Sequence, residues 1–477
     1  MVSFSSIPGP MQCVFPATIP GMADMLPLLR AERAEFEAVF GQPVIFVDDD
    51  PGVGSRWLIE IDPDRADNQL VWEGDSLTLT SRVKDAAGMM TTFNQVHSLI
   101  ALGVDSITDA PESSTRAAVE RIYREIAGTF PGFGIRGKEW DEITSRHVRG
   151  DGADMSFEDV QRWIAELDDA HTAIRRTVPV YNPPYAVELT PERATMRRVP
   201  ESSSAYRAGV RPGWEISIDD RAGWLTRTGA PPHAKAFTAG RRAIALEGAG
   251  ERDFTAVSPV GESVHWTERA VLPSLDGVFL DRQIDTHTAY LHPGNWFTGI
   301  GFEDAFDDVL TRYWHLDRLV LDLRGNTGGN LMLATQTRDR FLRERTHLGT
   351  IRFTRGDGTL AAPVELWGEP SVDRVRWAGD LVVLTDALTY SASEDFLLGL
   401  QGLPHVTVVG QRSGGGSGRP RTIRLLDDMS ITISTALTYD RAGTCIENHG
   451  VPVDIARDVF GIDVDALGAL ALTHPNP

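Results

Sequence analysis

From residue 276 onward, short apolar runs alternate with helical segments, and this alternation limits the possible fold more than any other feature. Residues 288–291, 318–323 and 381–385 have the length and apolar content of buried strands, and a helical pattern covers 302–313. Strands that alternate with helices are typical of an α/β layer structure. We therefore expect an α/β domain in this part of the chain.

Length, charge and cysteine content narrow the class of protein. The chain has 477 residues and a formal net charge of −21. This length exceeds one ordinary core, so several domains are expected. The charge argues against nucleic acid or an anionic membrane as a partner. Two cysteines, Cys13 and Cys445, are too few for a disulfide framework or a metal cluster.

The chain shows neither a membrane-spanning run nor a secretion signal. No apolar run approaches the roughly 20 residues that cross a bilayer. The first eight residues lack a basic segment followed by a continuous apolar one. We therefore expect a cytoplasmic protein.

Four segments with different patterns are predicted. Residues 1–105 form a mixed α/β extension of unknown role, with a helix over 22–40 and strands at 44–47 and 57–61. Residues 106–178 form a helical domain. Residues 179–273 form a module of short strands and turns, in which 241–246 is predicted as a strand. Residues 274–477 form the α/β domain.

A serine lies where a buried strand passes into a helix. Ser391 follows the apolar run 381–385 and precedes the helical segment 396–400. A hydroxyl at such a turn is held clear of the sheet, and the first N–H groups of the helix can stabilise negative charge beside it. This arrangement suits a nucleophile. On the local sequence alone, however, a helix cap at Ser391 or Ser393 is the better explanation, so the nucleophile depends on partners elsewhere in the chain.

A glycine-rich loop at 324–330 also follows a strand and precedes a helix. Consecutive glycines allow backbone N–H groups to approach a ligand closely. The loop lacks the Gly-Lys-Ser/Thr ending of a P-loop and does not match a dinucleotide fingerprint. It is either an oxyanion donor or a tight turn.

Four motifs in order over 279–455 resemble those of the S41 peptidases, the tail-specific or C-terminal-processing proteases. They are Asp-Leu-Arg-Gly-Asn-Thr-Gly-Gly at 322–329, Thr-Tyr-Ser-Ala-Ser-Glu at 389–394, Val-Gly-Gln-Arg-Ser-Gly at 409–414 and Glu-Asn-His-Gly-Val-Pro-Val-Asp at 447–454. The resemblance implies a ClpP/crotonase-like β/α catalytic domain. Residues 208–213 resemble a PDZ-like module, and 140–141 with 167–171 resemble the family's amino-terminal domain.

The lysine content separates the family's two catalytic branches. Lysine occurs only at Lys84, Lys138 and Lys235, and the position that aligns with the lysine of the Ser/Lys branch is Gly416. Arginine cannot replace that lysine, because a guanidinium does not release its proton in proteins. The resemblance therefore implies the tricorn-like branch, with a histidine as base.

The resemblance assigns roles to individual residues. Ser391 is the nucleophile, His171 the base and Glu447 the supporting carboxylate. Ala392 and either Gly328 or Gly329 donate N–H groups to the oxyanion. Tricorn proteases carry a serine before the histidine where this chain has Ala170, so that hydroxyl is absent or comes from another group such as Thr172.

Some residues have competing interpretations. His449 is the main rival to His171, because it lies within the closing motif. Asp168, Asp169 and the run 48–50 do not match a calcium loop and are interpreted as solvated turns. No metal and no cofactor is expected.

The sequence predicts a serine peptidase that acts through an acyl-enzyme. An esterase or pathway-specific acyl hydrolase with the same residues is the first alternative, and a non-catalytic binding protein on this scaffold is the second. The expected partner is a peptide or protein substrate. Binding of its carboxy-terminus and homo-oligomerisation are both left open.

Overall fold

The computed structural model describes six strands within the first 81 residues and then, with short gaps, the chain from 111 to 460. The described residues after the strands are 111–150, 152–176, 178, 180–248, 250–270, 279–296 and 302–460. The predicted helix over 22–40 lies outside them. Two compact units are distinguished: one comprises 1–111 with 421–425, and the other comprises 112–420 with 426–477.

The described part of residues 1–111 of the first unit contains one antiparallel sheet. Its strands are β1 (Ser3–Phe4), β2 (Met11–Pro16), β3 (Val44–Asp48), β4 (Arg56–Glu60), β5 (Gln69–Glu73) and β6 (Ser76–Ser81). They lie in the order β1-β2-β6-β5-β4-β3. The strands predicted at 44–47 and 57–61 correspond to β3 and β4, so both predictions are confirmed.

The second unit contains helices and the remaining strands, except that residues 421–425 of the strand at 421–426 belong to the first unit. The helices are α1 (Thr115–Thr129), α2 (Phe133–Arg136), α3 (Trp140–His147), α4 (Phe157–Ala165), α5 (Ser204–Arg207), α6 (Arg221–Thr226), α7 (Pro232–Ala243), α8 (Phe302–Tyr313), α9 (Leu331–Asp339) and α10 (Ala392–Leu400). The strands up to residue 292 are β7 (Ala173–Arg176), β8 (Val180–Tyr181), β9 (Ala186–Leu189), β10 (Ala194–Arg198), β11 (Glu215–Ile216), β12 (Leu246–Glu247), β13 (Glu251–Val257), β14 (Ser263–Arg269), β15 (Leu280–Gln283) and β16 (Thr288–His292). The later strands are β17 (Arg318–Asp322), β18 (Thr346–Phe353), β19 (Val364–Gly368), β20 (Asp380–Thr385), β21 (Val406–Gly410), β22 (Arg421–Leu426), β23 (Met429–Ile433), β24 (Ala436–Tyr439) and β25 (Ile455–Ala456).

The helices α1 to α4 pack through aromatic side chains. A capping box at Ser156 starts α4, in which the Ser156 hydroxyl accepts from the Asp159 N–H and the Asp159 carboxylate accepts in return. Trp163 on α4 stacks on Trp140 of α3, with ring centroids 4.9 Å apart. The chain then enters β7, which pairs antiparallel with β23. This pairing ties the segment that carries His171 to the later part of the chain.

The middle module contains a five-stranded sheet in the order β14-β13-β11-β10-β9. The prediction of a strand over 241–246 is wrong. Residues 241–243 form the last turn of α7, and the next strand, β12, begins at Leu246. Pro232 occupies the first turn of α7, where proline is favoured. Ala234, Phe237 and Ala243 are buried at helical spacing along α7.

The α/β domain is built on a six-stranded sheet in the order β15-β16-β17-β20-β21-β25. Strands β16, β17, β20, β21 and β25 are parallel, and β15 joins β16 antiparallel at the edge. Phe306 on α8 and Phe396 on α10 share one buried core with Leu321 of β17. Because β17 and β20 are parallel neighbours, the loops after them leave the sheet at the same edge. The glycine loop and the Ser391 turn therefore meet there.

Candidate active site

Ser391 occupies a sharp turn between β20 and α10. Its φ is +59° and its ψ is −125°, a conformation that non-glycine residues rarely adopt. The turn is held from both sides, because the Thr389 hydroxyl donates to the Leu323 carbonyl over 2.8 Å and the Ser391 N–H donates to Glu394 over 3.2 Å. Strained backbone of this kind persists where the surroundings determine it, and it clusters at functional sites.

The imidazole of His171 lies directly against this serine. His171 Nε2 is 3.0 Å from Ser391 Oγ, although the two residues are 220 positions apart in the chain. The His171 carbonyl accepts from the Thr432 hydroxyl of β23, and the ring lies 4.6 Å from the Tyr390 ring. The structure thus brings the predicted nucleophile and the predicted base into hydrogen-bond contact.

The other ring nitrogen of His171 is buried against Gly418. Among the described residues it has no recorded hydrogen-bond partner. A Cβ atom added to Gly418 would lie 2.9 Å from His171 Nδ1 and 2.6 Å from Ser434 Oγ. Gly418 therefore leaves just enough room for the imidazole.

The carboxylate of Asp169 binds the backbone of His171. Its Oδ1 accepts from the His171 backbone N–H over 3.0 Å, and its Oδ2 accepts from the Thr172 hydroxyl over 3.0 Å. Asp169 is only 1% exposed. Its interpretation as a solvated turn residue is therefore wrong: the fold covers it, and its oxygens hold the chain around His171. The signal was its place two residues before the histidine.

The neighbouring side chains of Asp168 and Thr172 bind groups other than the His171 ring. Asp168 forms ion pairs with Lys138 and Lys235, at 2.6 Å and 3.3 Å. The Thr172 hydroxyl also accepts from the Ser434 N–H over 3.1 Å. Thr172 thus links Asp169 to the backbone of Ser434, which follows β23. Within the described residues, no contact between the Thr172 hydroxyl and the His171 ring is recorded.

Two buried glutamates hold the second glycine loop. Glu394 accepts from the Gly415 and Gly416 N–H groups over 2.8 Å and 2.7 Å. Glu447 Oε1 accepts from the Ser417 and Gly418 N–H groups over 3.1 Å and 3.0 Å. Within the described chain, Glu447 has no hydrogen bond to His171. It reaches the histidine indirectly, through the loop on which the imidazole rests.

The two predicted oxyanion glycines differ in their hydrogen bonding. The Gly328 N–H donates to the Asn326 side chain over 3.0 Å. For the N–H groups of Gly329 and Ala392, no acceptor is recorded in the described part of the chain. Gly328 itself touches the nucleophile turn, because an added Cβ would lie 2.7 Å from Ser391 Cβ. Gly329 and Ala392 are thus the donors left available.

Neither His449 nor Gly416 supplies a side chain to the Ser391–His171 pair. His449 is exposed, and its Nδ1 lies 3.1 Å from the Glu447 carbonyl oxygen in its own loop. Gly416 cannot carry a side chain without displacing Tyr390, since an added Cβ would lie 2.2 Å from the Tyr390 hydroxyl oxygen. A lysine at 416 would not fit this packing.

Burial sets the protonation states around the pair. It lowers the pKa of His171 to about 4, while Asp169 opposes this shift and Arg175 adds to it. Burial raises the pKa of Glu447 to about 8. For Asp169, burial acts upward, but the charge of Arg136 and hydrogen bonds, including that from the His171 backbone N–H, prevail, so its pKa is lowered. At neutral pH the imidazole is neutral, as a base must be, and Asp169 is the charged carboxylate beside it.

The lowered pKa of His171 predicts that kcat/KM falls only at an unusually low pH on the acidic side of its pH profile. Since protonation of the imidazole removes the base, kcat/KM should hold its neutral value to about pH 5 and decline only as the pH falls through about 4. An exposed histidine would give a limb near 6.5. The measurement is kcat/KM against pH, with far-UV circular dichroism over the same range to exclude acid unfolding. An inflection near 6.5 would contradict the burial argument.

Part of the chain is similar to known proteins. Residues 287–457 match the model of peptidase family S41. A nisin-resistance protein of Lactococcus lactis subsp. lactis is 24% identical over 147 residues, 29% of this chain and 45% of that protein. A carboxy-terminal-processing protease of Bartonella bacilliformis is 32% identical over 139 residues, 28% of this chain and 30% of that protein. This chain thus matches less than half the length of either relative.

A solved structure extends the likeness beyond the matched segment. The structure of mature CPAF complexed with lactacystin aligns with 72% of this chain and 94% of its own, at 13% identity and a TM-score of 0.54. At this identity the similarity concerns the fold alone. Among the described residues of this chain, no helix has the length and apolarity needed to cross a membrane. Residues 287–457, which carry both glycine loops and Ser391, are therefore the part of the chain that is similar to peptidase family S41.

Proposed function

We propose that this chain is a serine peptidase in which Ser391 attacks the scissile carbonyl and His171 is the general base. One observation carries the proposal: His171 Nε2 lies 3.0 Å from Ser391 Oγ, within reach for proton transfer. A serine hydroxyl becomes nucleophilic near neutral pH only beside such a base. The match of residues 287–457 to peptidase family S41 supports peptide hydrolysis as the reaction.

In the proposed reaction, the Ser391 oxygen bonds to the carbonyl carbon while its proton moves to His171 Nε2. The imidazolium then gives this proton to the leaving amine, and an acyl-enzyme remains. A water molecule, deprotonated by His171, hydrolyses the ester and restores Ser391. The charge of Asp169 favours the transient imidazolium, and Glu447 fixes the loop behind the ring.

The oxyanion of the tetrahedral intermediate is assigned to the N–H groups of Ala392 and Gly329. Both lack a recorded acceptor within the described residues, whereas the Gly328 N–H is engaged by Asn326. Preorganised donors of this kind stabilise charge that develops only in the transition state. The role of Gly328 is then a steric one, since a side chain there would strike Ser391.

The finer fold assignments are also part of this proposal. A parallel sheet with the nucleophile turn after β20 supports a ClpP/crotonase-like catalytic domain over 274–477. The turn at 208–213 followed by β11, within an antiparallel sheet, supports a PDZ-like module over 179–273. The helices α1 to α4 support a separate helical segment over 106–178.

An active-site probe tests the function. A fluorescent alkyl phosphonate should add once per chain, and mass spectrometry of the digested protein should locate the adduct on Ser391. Hydrolysis of a peptide anilide and of an ester with the same acyl group separates a peptidase from an esterase. Hydrolysis of the ester without detectable hydrolysis of the peptide anilide would favour an acyl hydrolase of another class. Failure of both labelling and hydrolysis would favour a non-catalytic binding protein.

A further inference from the structure

The first glycine loop, residues 324–330, uses every N–H group but one. Those of Arg324 and Gly325 donate to the carboxylates of Asp322 and Asp386, each over 3.0 Å. Those of 326–328 and 330 also have recorded acceptors. For the Gly329 N–H, no acceptor is recorded within the described residues. In this loop, all of which the structure describes, the group assigned to the oxyanion is therefore the one N–H left for a ligand.

Several partners of the loop belong to a short segment after β16, and we call Gly294, Asn295 and Trp296 the clamp segment. The Gly294 carbonyl accepts from Asn326 Nδ2 over 2.6 Å. Asn295 Oδ1 accepts from the Thr327 N–H over 2.7 Å. Consecutive residues of the clamp segment thus bind consecutive residues of the loop.

Trp296 binds the loop on both sides of Gly329. Its N–H donates to the Gly328 carbonyl over 3.0 Å, and its carbonyl accepts from the Asn330 N–H over 2.6 Å. Gly329 itself forms a parallel β-bridge with Trp296. A Cβ atom added to Gly329 would lie 2.0 Å from the Trp296 carbonyl oxygen, so this approach requires glycine.

These bonds determine the direction of the Gly329 N–H. The Gly328 carbonyl and the Gly329 N–H belong to one planar trans peptide unit, so the two groups point in opposite directions. Because the carbonyl is bound by Trp296, the N–H points away from the clamp segment. Gly328 in turn touches the nucleophile turn, where its added Cβ would lie 2.7 Å from Ser391 Cβ. The clamp segment therefore orients the proposed oxyanion donor.

Asn295 holds the loop against the turn that carries Ser391. The peptide unit between Asn326 and Thr327 is bound at both ends, because the Tyr390 N–H donates to the Asn326 carbonyl over 3.0 Å and Asn295 binds the Thr327 N–H. Gly294 and Trp296 bind the loop through backbone atoms, whereas Asn295 binds it through its side chain. A substitution at Asn295 can therefore remove one bond of the clamp segment selectively.

We propose that Asn295 is a positioning residue for the oxyanion site, which holds the Thr327 N–H and thereby keeps the Gly329 N–H in place beside Ser391. No hydrogen bond of Asn295 to Ser391 or His171 is recorded among the described residues, so it acts through the loop. An amide suits this position, because its oxygen accepts without placing a negative charge near the oxyanion. The inference rests on the proposed peptidase function.

Asn295→Ala should lower kcat about 10- to 100-fold and leave KM nearly unchanged, since the oxyanion exists only in the transition state. Complete loss of one donor costs about 10²- to 10³-fold, and a displaced donor keeps part of its effect. Asn182→Ala is the matched control. Asn182 is half-buried and lines the same cavity as Asn295, and no hydrogen bond of its side chain is recorded in the described chain. Its kcat should equal that of the wild type.

A pair of substrates separates an oxyanion effect from a general structural one. An ester and the corresponding thionoester differ only in the carbonyl oxygen or sulfur, and sulfur is the weaker hydrogen-bond acceptor. Hydrolysis of the thionoester therefore depends less on the N–H donors. The ester-to-thionoester ratio of kcat/KM should fall about 10-fold in Asn295→Ala and stay constant in Asn182→Ala, with the size following from the partial loss of one donor. A general defect would lower both rates together.

Hydrogen exchange measured by mass spectrometry reports on the loop without turnover. A peptide that covers 324–330 should exchange faster in Asn295→Ala than in the wild type, because the Thr327 N–H has lost its acceptor. Asn295→Asp keeps an accepting oxygen, so exchange in this variant should remain slow. The thermal midpoint of each variant is measured in parallel. Asn295 is only half-buried, so water can reach the Thr327 N–H in the alanine variant and the fold should persist.

The outcomes distinguish this inference from the peptidase proposal. If the wild type hydrolyses the substrates and Asn295→Ala keeps its kcat or its ester-to-thionoester ratio, the inference is overturned and the peptidase proposal stands. The same holds if the loop exchanges equally fast in Asn295→Ala and in the wild type. If the wild type neither hydrolyses a substrate nor reacts with the phosphonate, both proposals are overturned together.

Discussion

Ser391→Ala should lower kcat/KM by about 10⁴- to 10⁶-fold, the range seen when a nucleophilic serine is removed from a hydrolase. No other hydroxyl is recorded in contact with His171 Nε2 among the described residues, so nothing replaces the attacking oxygen. The fold should persist, because alanine tolerates the turn at φ +59° no worse than serine and loses only the contact with His171. The measurements are kcat/KM with a peptide substrate and the thermal midpoint.

Ser393→Ala provides the matched contrast for this variant. The Ser393 hydroxyl is buried and accepts from Trp296 Nε1 over 2.8 Å, away from the catalytic pair. Its removal leaves a buried indole N–H unsatisfied, which costs about 1–3 kcal/mol of stability. We expect a lower thermal midpoint with activity retained below that midpoint. Retained activity in Ser391→Ala together with inactive Ser393→Ala would reverse the assignment of the nucleophile.

His171→Ala should reduce kcat/KM by about 10³- to 10⁶-fold, since an unassisted serine hydroxyl is a weak nucleophile near neutral pH. The rate of phosphonate labelling should fall in parallel, because the same proton transfer activates Ser391 toward the probe. The variant leaves a cavity beside Tyr390, whose ring lies 4.6 Å from the imidazole. Stability is therefore measured alongside activity, so that a folding defect is not taken for a loss of the base.

His449→Ala is the control that separates the two candidate bases. His449 is exposed and contacts the carbonyl of its own loop, so its replacement should change kcat/KM by less than about threefold. Normal labelling of the His171→Ala variant, combined with loss of labelling in His449→Ala, would transfer the role of base to His449.

The sequence predicted the parts of the fold that depend on local pattern and on ordered motifs. The alternation after residue 276 predicts the parallel sheet of β16, β17, β20 and β21, because buried strands are apolar along their whole length. Within the resemblance to the S41 peptidases, Gly416 at the aligned lysine position directs the search for a base to the histidines. The motif resemblance then points to His171, which the structure places beside Ser391.

Other features depend on contacts that the local pattern does not contain. The segment 241–246 has the alternation of a strand, yet 241–243 belong to α7, whose buried face is set by packing on β9. Asp169 belongs to a polar turn, yet the fold covers it almost completely. The hydrogen bond from Gly328 to Asn326 distinguishes the two oxyanion candidates, and consecutive glycines look alike in sequence.

The pairing of β7 with β23 has a consequence for the chain before it is fully folded. His171 is joined to β7, and its carbonyl accepts from Thr432 of β23, while Ser391 belongs to a different turn. A nascent or partly unfolded chain in which this pairing is absent contains a serine without its base. In the proposed mechanism, hydrolysis therefore requires the completed tertiary structure, because only that structure brings His171 to Ser391.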